Sequence, residues 1–485
     1  MKYPDQTANS KLTDVRITGS ELYFLPIQTR VPLKFGSETL TEVTCARVRV
    51  RVEFAPGRMA EGWGETPLSV QWVWPSKLSH DERSRALKEF CQRISKNFAS
   101  FPITGHPFEI SHAFQETVLQ DLLRQINEER IDREPMPWLA ALVCYSAFDL
   151  ALHDAYGQIH ECSVFDTFNV NYMNRDLAEY LIPADPAISF AGKYPQDFLL
   201  PKRRERLMAW HLVGGLDPLE PDELTDQSPS DGYPLLLRDW IQTDGLKCLK
   251  VKLRGTDAEW DYKRLVNVGR IGLARGIECY SADFNCTVNT PDYVIEILDR
   301  LECDHPDIFR QILYVEQPFP YDLETHRIDV HGLSARKKLF LDESAHNWQL
   351  VRLGRELGWT GVALKTCKTL TGALLSACWA KAHGLSLMVQ DLTNPMLAQI
   401  PHLLLAAHLN TLMGVETNSM QFYPEASNPE AQVHPGIYRR RNGQVELSSI
   451  RGPGFGYRLP EITRPLPPAT ENSNAGAENQ TSPSH

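Results

Sequence analysis

Five short stretches in the middle of the chain decide its fold. They are LKCLKVKL at residues 246–253, IECYSADFN at 277–285, ILYVEQPF at 312–319, LFLDES at 339–344 and GVALKT at 361–366. Each is an apolar run with a charged residue at or near its end, and longer segments with helical spacing separate them. Buried strands of a parallel sheet have this composition because both of their faces are covered. The series therefore predicts consecutive βα units.

The same alternation continues on both sides of this series. RLMAWHLV at 206–213 precedes it, and LSLMVQD at 385–391 and TLMGVETN at 411–418 follow it. The polar residues at the strand tips lie 23–33 residues apart, namely Lys252, Asp283, Glu316, Asp342, Lys365, Asp391 and Glu416. That spacing is the length of one βα unit. Eight such strands predict an α/β fold with a TIM-type (β/α) barrel over residues 206–425, with its chemistry at the C-terminal strand ends.

The first 157 residues have a different pattern and predict a separate α+β domain. VRITGSELYFLPI and CARVRVRVEFAPG alternate apolar and polar side chains, as strands with one covered face do. Ser79 and Glu82 fit the capping box that begins a helix, and a second helix is predicted from about Pro137 to Gly157.

The remaining segments connect or extend these two domains. Residues 158–205 form a long, irregular connection, and residues 216–234 form an acidic, Pro-rich loop after the first barrel strand. Residues 426–464 follow the barrel, and residues 465–485 are rich in Pro, Ser, Asn and Thr. This last composition predicts a disordered tail, because it offers little apolar surface to bury.

Composition and charge exclude several classes of protein. The 485 residues are 42% hydrophobic and 23% charged, which is enough apolar material for a globular core. The net charge of −11 argues against nucleic-acid binding, and no stretch approaches the ~20 apolar residues of a membrane span. The ten cysteines are scattered with no CxxC pair, and the N-terminus has no apolar signal region. We therefore expect a cytoplasmic protein with reduced thiols and with no nucleic-acid or membrane partner.

Three carboxylates end neighbouring barrel strands. Asp283 shares a strand face with Asn285, since residues two apart point the same way, and Glu316 and Asp342 end the next two strands. Close carboxylates repel one another unless a cation lies among them, and oxygen ligands suit Mg²⁺. Taken singly, each acid could instead cap a helix that begins just beyond its strand.

Lysines lie on both sides of this acidic group. Lys250 and Lys252 share one face of the second barrel strand, and Lys365 ends the sixth strand, roughly across the barrel. A proton next to a carboxylate is very weakly acidic, and its removal requires a base and a cation that stabilises the enediolate. Lys252 and Lys365 could also be solvated side chains at the rim, and Lys250 could simply pair with a carboxylate.

In order along the chain, these motifs resemble the muconate lactonizing enzyme subgroup of the enolase superfamily, which includes mandelate racemase-like and dipeptide epimerase-like proteins. The motifs are Lys250-Val251-Lys252, Asp283-Phe284-Asn285, Glu316-Gln317-Pro318, Asp342-Glu343-Ser344 and ALKTCK around Lys365. GWGE at residues 62–65 and AFDLALHDAYG at 147–157 resemble the capping domain of that family, and GPGFGY at 452–457 resembles its closing segment.

The resemblance implies a role for each of these residues. Mg²⁺ would be bound by Asp283, Glu316 and Asp342. The two acid/base catalysts would be Lys252 and Lys365, with Lys250 in support of Lys252. Residues 1–157 would form a capping domain whose loops near 30–36 and 65–74 reach over the barrel mouth, and residues 426–464 would return to it.

Substrate contacts are expected from the tips of the third, seventh and eighth strands. The candidates are Asn285, Asp391, Glu416 and Asn418. Asp391 and Glu416 could equally be plain charges at the rim. The eighth strand ends in Glu416-Thr417-Asn418, where dipeptide epimerases tend to carry an Asp-x-Asp pair.

Two lysines favour a racemase or epimerase that acts on a dipeptide or an amino-acid derivative, because one base removes a proton and the other returns it. A cycloisomerase or syn-dehydratase, of the muconate cycloisomerase or o-succinylbenzoate synthase type, needs only one lysine to move a proton and stays open as an alternative. A non-catalytic binding barrel is more remote. We expect a small-molecule carboxylate as the substrate and a homo-oligomer as the assembly.

Overall fold

The computed structural model describes residues 10–54, 57–226 and 228–475. In chain order the strands are β1 Val15–Phe35, β2 Glu38–Phe54, β3 Arg58–Pro67, β4 Thr104–Gly105, β5 Arg206–Val213, β6 Cys248–Lys252, β7 Cys279–Asp283, β8 Ile312–Glu316, β9 Lys338–Leu341, β10 Gly361–Leu364, β11 Ser386–Val389, β12 Val415–Glu416, β13 Gln444–Glu446 and β14 Glu471–Asn474.

The α-helices are α1 Val70–Val73, α2 His80–Ala99, α3 Pro107–Phe114, α4 Gln120–Glu129, α5 Trp138–Ile159, α6 Leu237–Asp244, α7 Ala258–Leu273, α8 Pro291–Asp304, α9 Pro306–Gln311, α10 His331–Ser334, α11 Trp348–Leu357, α12 Leu370–Ala382, α13 Gln399–His408, α14 Ser419–Phe422 and α15 Asn428–Val433. None of the helices in the described ranges is both long and apolar enough to cross a membrane.

The N-terminal part is an antiparallel sheet covered by helices, as its α+β pattern predicts. β1 pairs with β2 and β2 with β3. α2 begins as expected, since the Ser79 hydroxyl accepts a hydrogen bond from the Glu82 N–H at 3.2 Å. α5 is buried along nearly its whole length. We call this part the cap.

Gly62 and Gly64 on β3 allow α5 to lie directly on the sheet. A side-chain carbon would come within 1.9 Å of the Ala155 nitrogen at the first position and 2.1 Å of the Ala147 carbonyl oxygen at the second. Only glycine permits this approach, so the GWGE motif is explained by packing.

β5 to β12 form the predicted barrel of eight parallel strands, in the order β11-β10-β9-β8-β7-β6-β5-β12. β11 contacts the segment just before β12, where the Leu412 N–H donates to the Leu387 carbonyl at 2.7 Å, and this contact completes the ring. Six strands contribute to an apolar layer inside the barrel, namely Trp210, Cys248, Cys279, Tyr314, Phe340 and Met388. The next inward residues along the strands are the polar ones, so the barrel is a packed core with a charged upper end.

Two buried aspartates of AFDLALHDAYG connect the cap to the barrel. Asp149 accepts hydrogen bonds at 2.6 Å from the Leu370 N–H and from the neighbouring threonine hydroxyl, at the start of α12. Asp154 accepts from the Trp63 N–H at 2.9 Å and from the Phe455 N–H at 2.8 Å. The cap therefore holds the helix that follows Lys365 and also the closing segment of the chain.

The C-terminal segment departs from the sequence prediction. Disorder from residue 465 onward is wrong for its first part, because β14 pairs antiparallel with β1, from Gly19 opposite Asn474 to Leu22 opposite Glu471. An open edge strand offers unpaired backbone groups, so a polar segment can be ordered by backbone pairing without apolar burial. Residues 476–485 lie outside the described residues.

The connection over 158–205 contains 3-10 turns at Val164–Thr167, Leu177–Glu179 and Pro195–Phe198. β13, in the segment after the barrel, adds antiparallel to β5.

Candidate active site

The strand tips of the barrel and the loops of the cap enclose a small chamber. Its volume is about 40 Å³. It is lined by Leu33, Phe35, Leu40, Ser69, Trp72, Leu212, Lys250, Lys252, Asp342, Lys365, Asp391, Leu392, Thr393 and Glu416. All the charged groups come from the barrel, and the cap contributes four apolar side chains and one serine. We call this space the catalytic chamber.

The three predicted metal-binding acids lie at one end of the barrel on neighbouring strands. Asp283 on β7 is in register with Glu316 on β8, and Asp342 directly follows β9. All three side chains are buried. Lys252 Nζ is 2.5 Å from Asp283 Oδ2, and Lys365 Nζ is 3.2 Å from Asp342 Oδ2. The acids and lysines that sequence analysis singled out thus form one cluster.

Lys250 is buried within this cluster and contacts three acids. Its Nζ is 2.7 Å from Glu316 Oε1, 2.9 Å from Glu416 Oε2 and 3.1 Å from Asp283 Oδ2. Burial alone would lower the pKa of Lys250, but the three carboxylates outweigh it and hold this pKa well above its ordinary value. Lys250 is thus held among three acids, which agrees with a supporting role.

The lysines affect the pKa values of the neighbouring acids to different extents. Burial would raise the pKa of Asp283, but Lys252 and Lys250 overcome this effect and lower it. Burial, together with the charge of Asp283, raises the pKa of Glu316 well above its ordinary value. Among the three predicted metal-binding acids, Glu316 is therefore the one whose charge is least compensated by the lysines.

Asp342 is shared by two lysines, one of which the sequence analysis did not identify. Lys368 Nζ is 3.3 Å from Asp342 Oδ1, on the other oxygen from Lys365. Burial would lower the pKa of Lys365, but Asp342 raises it, whereas burial prevails for Lys368 and lowers its pKa. Lys368 lies in a helical turn beyond the strand, so no strand alternation indicates where it points.

Gln390 is a second functional candidate that the sequence analysis missed. Its Nε2 donates to Glu316 Oε2 at 2.6 Å, and its Oε1 lies 3.5 Å from Nζ of both Lys250 and Lys365. Strand alternation could have indicated this residue. Met388 faces the barrel interior, and a residue two positions later on a strand faces the same way, which places Gln390 inside the barrel.

The donor set fits a divalent cation in charge and in atom type. The cluster contains six buried carboxyl groups and four buried amino groups, so its formal charge with all of them ionised is −2. The acids are Asp283, Glu316, Asp342, Glu343, Asp391 and Glu416, and the lysines are Lys250, Lys252, Lys365 and Lys368. Two buried acceptors beside the acids, Asn285 Oδ1 and Glu343 Oε2, have no hydrogen-bond donor. Carboxylate and amide oxygens with excess negative charge are what Mg²⁺ requires.

The geometry of the cluster is set by the ammonium groups. Across the described parts of the chain, no three His, Cys, Asp or Glu side chains are arranged to hold a metal ion. Lys250 and Lys252 both contact Asp283 Oδ2.

The backbone beyond the strand tips is strained. Six non-glycine residues there have positive φ between 30° and 73°, namely Asn285, Cys286, Gln317, Thr369, Thr393 and Met396. Sparsely populated backbone conformations of this kind cost about 1–3 kcal/mol each and cluster at functional sites. Their concentration marks this end of the barrel as the functional one.

Two aromatic residues of the cap cover the two predicted catalytic lysines. Lys252 Nζ lies 5.9 Å from the centre of the Phe35 ring, and Lys365 Nζ lies 5.3 Å from the centre of the Trp72 ring. Trp72 is fixed in turn, because its indole N–H donates to Glu343 Oε1 at 3.0 Å. Aromatic faces attract ammonium groups and exclude water from them.

The four candidate substrate contacts have different surroundings. Asp391 and Glu416 line the chamber and are buried, so neither is a plain charge at the rim. Both oxygens of Glu416 are taken, by Lys250 at 2.9 Å and by Asn418 Nδ2 at 2.9 Å. Asn418 does not line the chamber and also binds Asp391. Asn285 lies beyond β7, and its Nδ2 donates to Glu343 Oε1.

The acidic loop after β5 contacts a cap loop that lines the chamber. Arg30 binds Asp231 through two hydrogen bonds of 2.7 and 2.8 Å, and its guanidinium lies 5.5 Å from the centre of the Tyr233 ring. The Gly215 N–H donates to the Lys34 carbonyl at 3.0 Å. These contacts hold the residues on either side of Leu33, which lines the chamber.

We expect Asp231→Ala to loosen this cap loop without unfolding the protein. A partly exposed ion pair contributes about 0.2–1 kcal/mol. Amide hydrogen exchange over residues 28–36 should therefore quicken by no more than a few-fold, while the thermal midpoint changes little. Asp222→Ala, in the same acidic loop, is the matched control. The exchanged pair Arg30→Asp with Asp231→Arg should restore protection, and failure to do so would show that the ion pair does not hold the loop.

Most of the barrel matches a known protein family. Residues 235–462 match the enolase C-terminal domain-like family, from just before α6 to beyond the closing segment. A search of curated protein sequences gave no match.

Solved structures share the fold of the whole chain at low sequence identity. A dipeptide epimerase from Enterococcus faecalis, complexed with Mg and the dipeptide L-Leu-L-Tyr, is 16% identical with a TM-score of 0.58, covering 91% of this chain and 99% of its own. An N-succinyl Arg/Lys racemase from Bacillus cereus is 15% identical with a TM-score of 0.57, covering 91% of this chain and 95% of its own. A muconate lactonizing enzyme from Pseudomonas fluorescens, complexed with muconolactone, is 17% identical with a TM-score of 0.56, covering 91% and 96%.

These relatives have different activities and one architecture. Residues 235–462 therefore match the enolase C-terminal domain-like family, and the chain has the two-domain fold of the epimerase, the racemase and the muconate lactonizing enzyme.

Proposed function

We propose that the protein is a Mg²⁺-dependent racemase or epimerase that moves the proton next to a substrate carboxylate. The observation that carries the proposal is the position of the two lysines. Lys252 ends β6 and Lys365 follows β10, and these strands are four apart in a ring of eight. Both lysines line the catalytic chamber, so they face a bound substrate from opposite sides.

Opposed lysines suit inversion at carbon. One neutral lysine takes the proton from its side of the substrate, and the ammonium on the other side gives a proton back. Phe35 and Trp72 keep water away from the two Nζ atoms, which strengthens electrostatic interactions inside the chamber.

Asp283, Glu316 and Asp342 would hold the Mg²⁺ ion. When bound, it would stabilise the negative charge that develops on the substrate carboxylate and lower the pKa values of the nearby lysines. Lys250 and Gln390 orient Glu316 through contacts of 2.7 and 2.6 Å.

A cycloisomerase or syn-dehydratase is the second candidate. It shares the acids and lysines, and the fold relatives include a muconate lactonizing enzyme. The difference is that only one of the two lysines would transfer a proton.

The proposal is tested by deuterium incorporation. A library of dipeptides and N-acyl amino acids is incubated with the protein in D₂O, with and without Mg²⁺, and analysed by NMR and chiral chromatography. We expect α-deuteration with inversion of configuration for at least one compound, only with Mg²⁺. Conversion to a lactone or an alkene without inversion would favour the second candidate, and no exchange across the library would contradict both.

The charge of the substrate can be proposed from the chamber acids that do not belong to the predicted metal site, Asp391 and Glu416. The charge of Glu416 is already compensated by the Lys250 ammonium group at 2.9 Å. Asp391 lines the chamber, and its carboxylate accepts hydrogen bonds from neutral groups, namely the Asn418 and Asn394 N–H groups and the Asn418 amide. We therefore assign a substrate ammonium group to Asp391.

A dipeptide with a free amine should be preferred over its N-acetylated form. Acetylation removes a positive charge that would otherwise lie close to a buried carboxylate, and a hydrogen bond to a charged group is worth about 1.5–3 kcal/mol. We expect kcat/KM to fall by at least about tenfold on acetylation in the wild type. In Asp391→Asn the difference should nearly vanish, while Glu425→Gln, outside the chamber, leaves it unchanged. Equal kcat/KM values for the two forms would rule out the amine contact.

A further inference from the structure

A pocket at the opposite end of the barrel from the catalytic chamber is lined by several arginine side chains. Arg206, Arg439 and Arg441 line it, together with Asn442, Gln444 and Glu446. Arg206 begins β5, and Leu212 of the same strand lines the chamber. These two residues lie six positions apart in an extended strand, which spans about 20 Å, so the two spaces are separate. We call this second space the arginine pocket.

A tight turn positions one of these arginines. Arg441 and Gln444 exchange two backbone hydrogen bonds, of 2.8 and 3.0 Å. The residues between them, Asn442 and Gly443, have positive φ values of 52° and 70°. A type I′ turn has positive φ at both central positions, and Asn-Gly is the sequence that it favours. β13 begins at the end of the turn and pairs with β5, so the turn brings Arg441 to the strand that Arg206 begins.

The three consecutive arginines at 439–441 differ in their surroundings. Arg440 is buried, and its Nε donates to Asp244 Oδ2 at 2.8 Å. Arg439 and Arg441, on either side of it, are exposed and line the pocket. In the part of the chain that the structure describes, neither they nor Arg206 form an ion pair or a side-chain hydrogen bond. The buried arginine is therefore compensated by an acid of the protein, and the three pocket arginines are not.

The pocket carries excess positive charge in an acidic protein. Three of the described residues that line it are arginines and one is an acid, Glu446, so the formal charge of the lining is three less one, or +2. The whole chain has a net charge of −11, so this positive charge is a local feature. Like charges that are held close together repel one another unless an opposite charge lies among them. An anion with two negative charges would compensate the pocket.

A phosphate group matches the pocket in charge, shape and size. A phosphate monoester carries about −1.5 to −2 charges at neutral pH, whereas a single carboxylate carries one. The planar guanidinium fork binds two phosphate oxygens at once. The pocket has a volume of about 190 Å³, and roughly 150 Å³ is enough to hold benzene. A phosphate group therefore fits together with part of the molecule that carries it.

We propose that the arginine pocket is a binding site for a dianionic phosphate group, supplied as free phosphate or as the phosphate monoester of a small molecule. Arg206, Arg439 and Arg441 donate hydrogen bonds to its oxygens. The site is independent of the proposed function, because it lies away from the catalytic chamber and shares no residue with it.

Calorimetry on the full chain tests this site, without Mg²⁺ because phosphate itself binds the ion. The probes are sodium phosphate, phenyl phosphate and sodium acetate. We expect saturable phosphate binding with a dissociation constant of about 1 mM or lower, and acetate binding at least about tenfold more weakly. Phenyl phosphate that binds as tightly as free phosphate identifies a monoester as the ligand, whereas its exclusion identifies the free ion. No phosphate binding at about 10 mM would overturn the proposal.

Substitutions locate the bound phosphate. Arg439→Gln and Arg441→Gln should each weaken phosphate binding at least about tenfold, because each removes a charge and a guanidinium fork. Arg355→Gln, at an exposed arginine of α11, is the matched control and should bind as the wild type does. Arg439→Lys keeps the charge but loses the fork, so we expect an intermediate affinity. Thermal midpoints verify the fold, and Arg206→Gln repeats the test if either variant folds poorly.

Three outcomes of these measurements would overturn the arginine pocket as the site. One is unchanged phosphate affinity in all the pocket variants, which would place the ion elsewhere, such as among the chamber lysines. Another is an equal loss in Arg355→Gln, which would show an effect of net charge alone. The third is binding of a short DNA duplex through the same arginines by a protein that binds no phosphate, which would make them part of a nucleic-acid surface.

Discussion

Lys252→Met and Lys365→Met should each abolish racemisation while leaving the fold intact. General acid–base catalysis by a positioned side chain contributes roughly 10²–10⁴-fold, so we expect kcat to fall by at least that factor. Methionine matches the length of lysine and fits among the apolar side chains of the chamber wall, but it transfers no proton. Circular dichroism and the thermal midpoint would verify the fold.

The two variants should differ from each other in a way that a structural defect would not produce. Each retains one lysine, so each should still exchange the α-proton of one enantiomer with D₂O, and the two variants should act on opposite enantiomers. NMR of the separate enantiomers measures this directly. Lys247→Met is the matched control, because Lys247 pairs with Glu278 outside the chamber and should not affect either exchange. If both chamber variants racemise at near wild-type rates, the two-base mechanism is wrong.

Removal of the metal or of one of its acids should have an effect of comparable size. We expect EDTA to abolish turnover and Mg²⁺ to restore it. Asp283→Asn, Glu316→Gln and Asp342→Asn each remove one negative charge from a cluster that has two in excess. Changes to residues that merely support a metal ligand cost about 10–100-fold in affinity, so loss of a ligand should cost at least as much.

The same variants can be examined without any substrate. Binding of Mg²⁺ to the folded protein raises its stability by about 2.7 kcal/mol at 100 times the dissociation constant, so the wild-type thermal midpoint should rise with Mg²⁺. The three variants should show little rise at the same concentration. Asp322→Asn, an exposed acid in the loop after β8, should respond as the wild type does. A wild-type protein whose midpoint and calorimetric titration ignore Mg²⁺ would contradict the metal site.

Local sequence determined the barrel and the order of its charged tips. A parallel strand with two covered faces must be an apolar run. The first polar residue marks the end of the strand, because polar side chains are accommodated at the barrel mouth. Alternation along β6 then places Lys250 and Lys252 on one face, and the carboxyl ends of parallel strands bring Asp283 and Glu316 together. The acids and lysines of the chamber could be predicted because they depend on strand direction and spacing alone.

Tertiary structure decided which of the charged groups pair with one another and which cap residues cover them. Lys250 and Glu416 are 166 residues apart, and only the closed ring brings them to 2.9 Å, where the ammonium group compensates the charge of Glu416. Trp72 and Glu343 are 271 residues apart, and the docking of the cap on the barrel joins them by a hydrogen bond of 3.0 Å. The C-terminal strand is ordered by the open edge of β1, which composition cannot reveal. Sequence spacing reports contacts along a strand or helix, whereas these contacts depend on how distant surfaces meet.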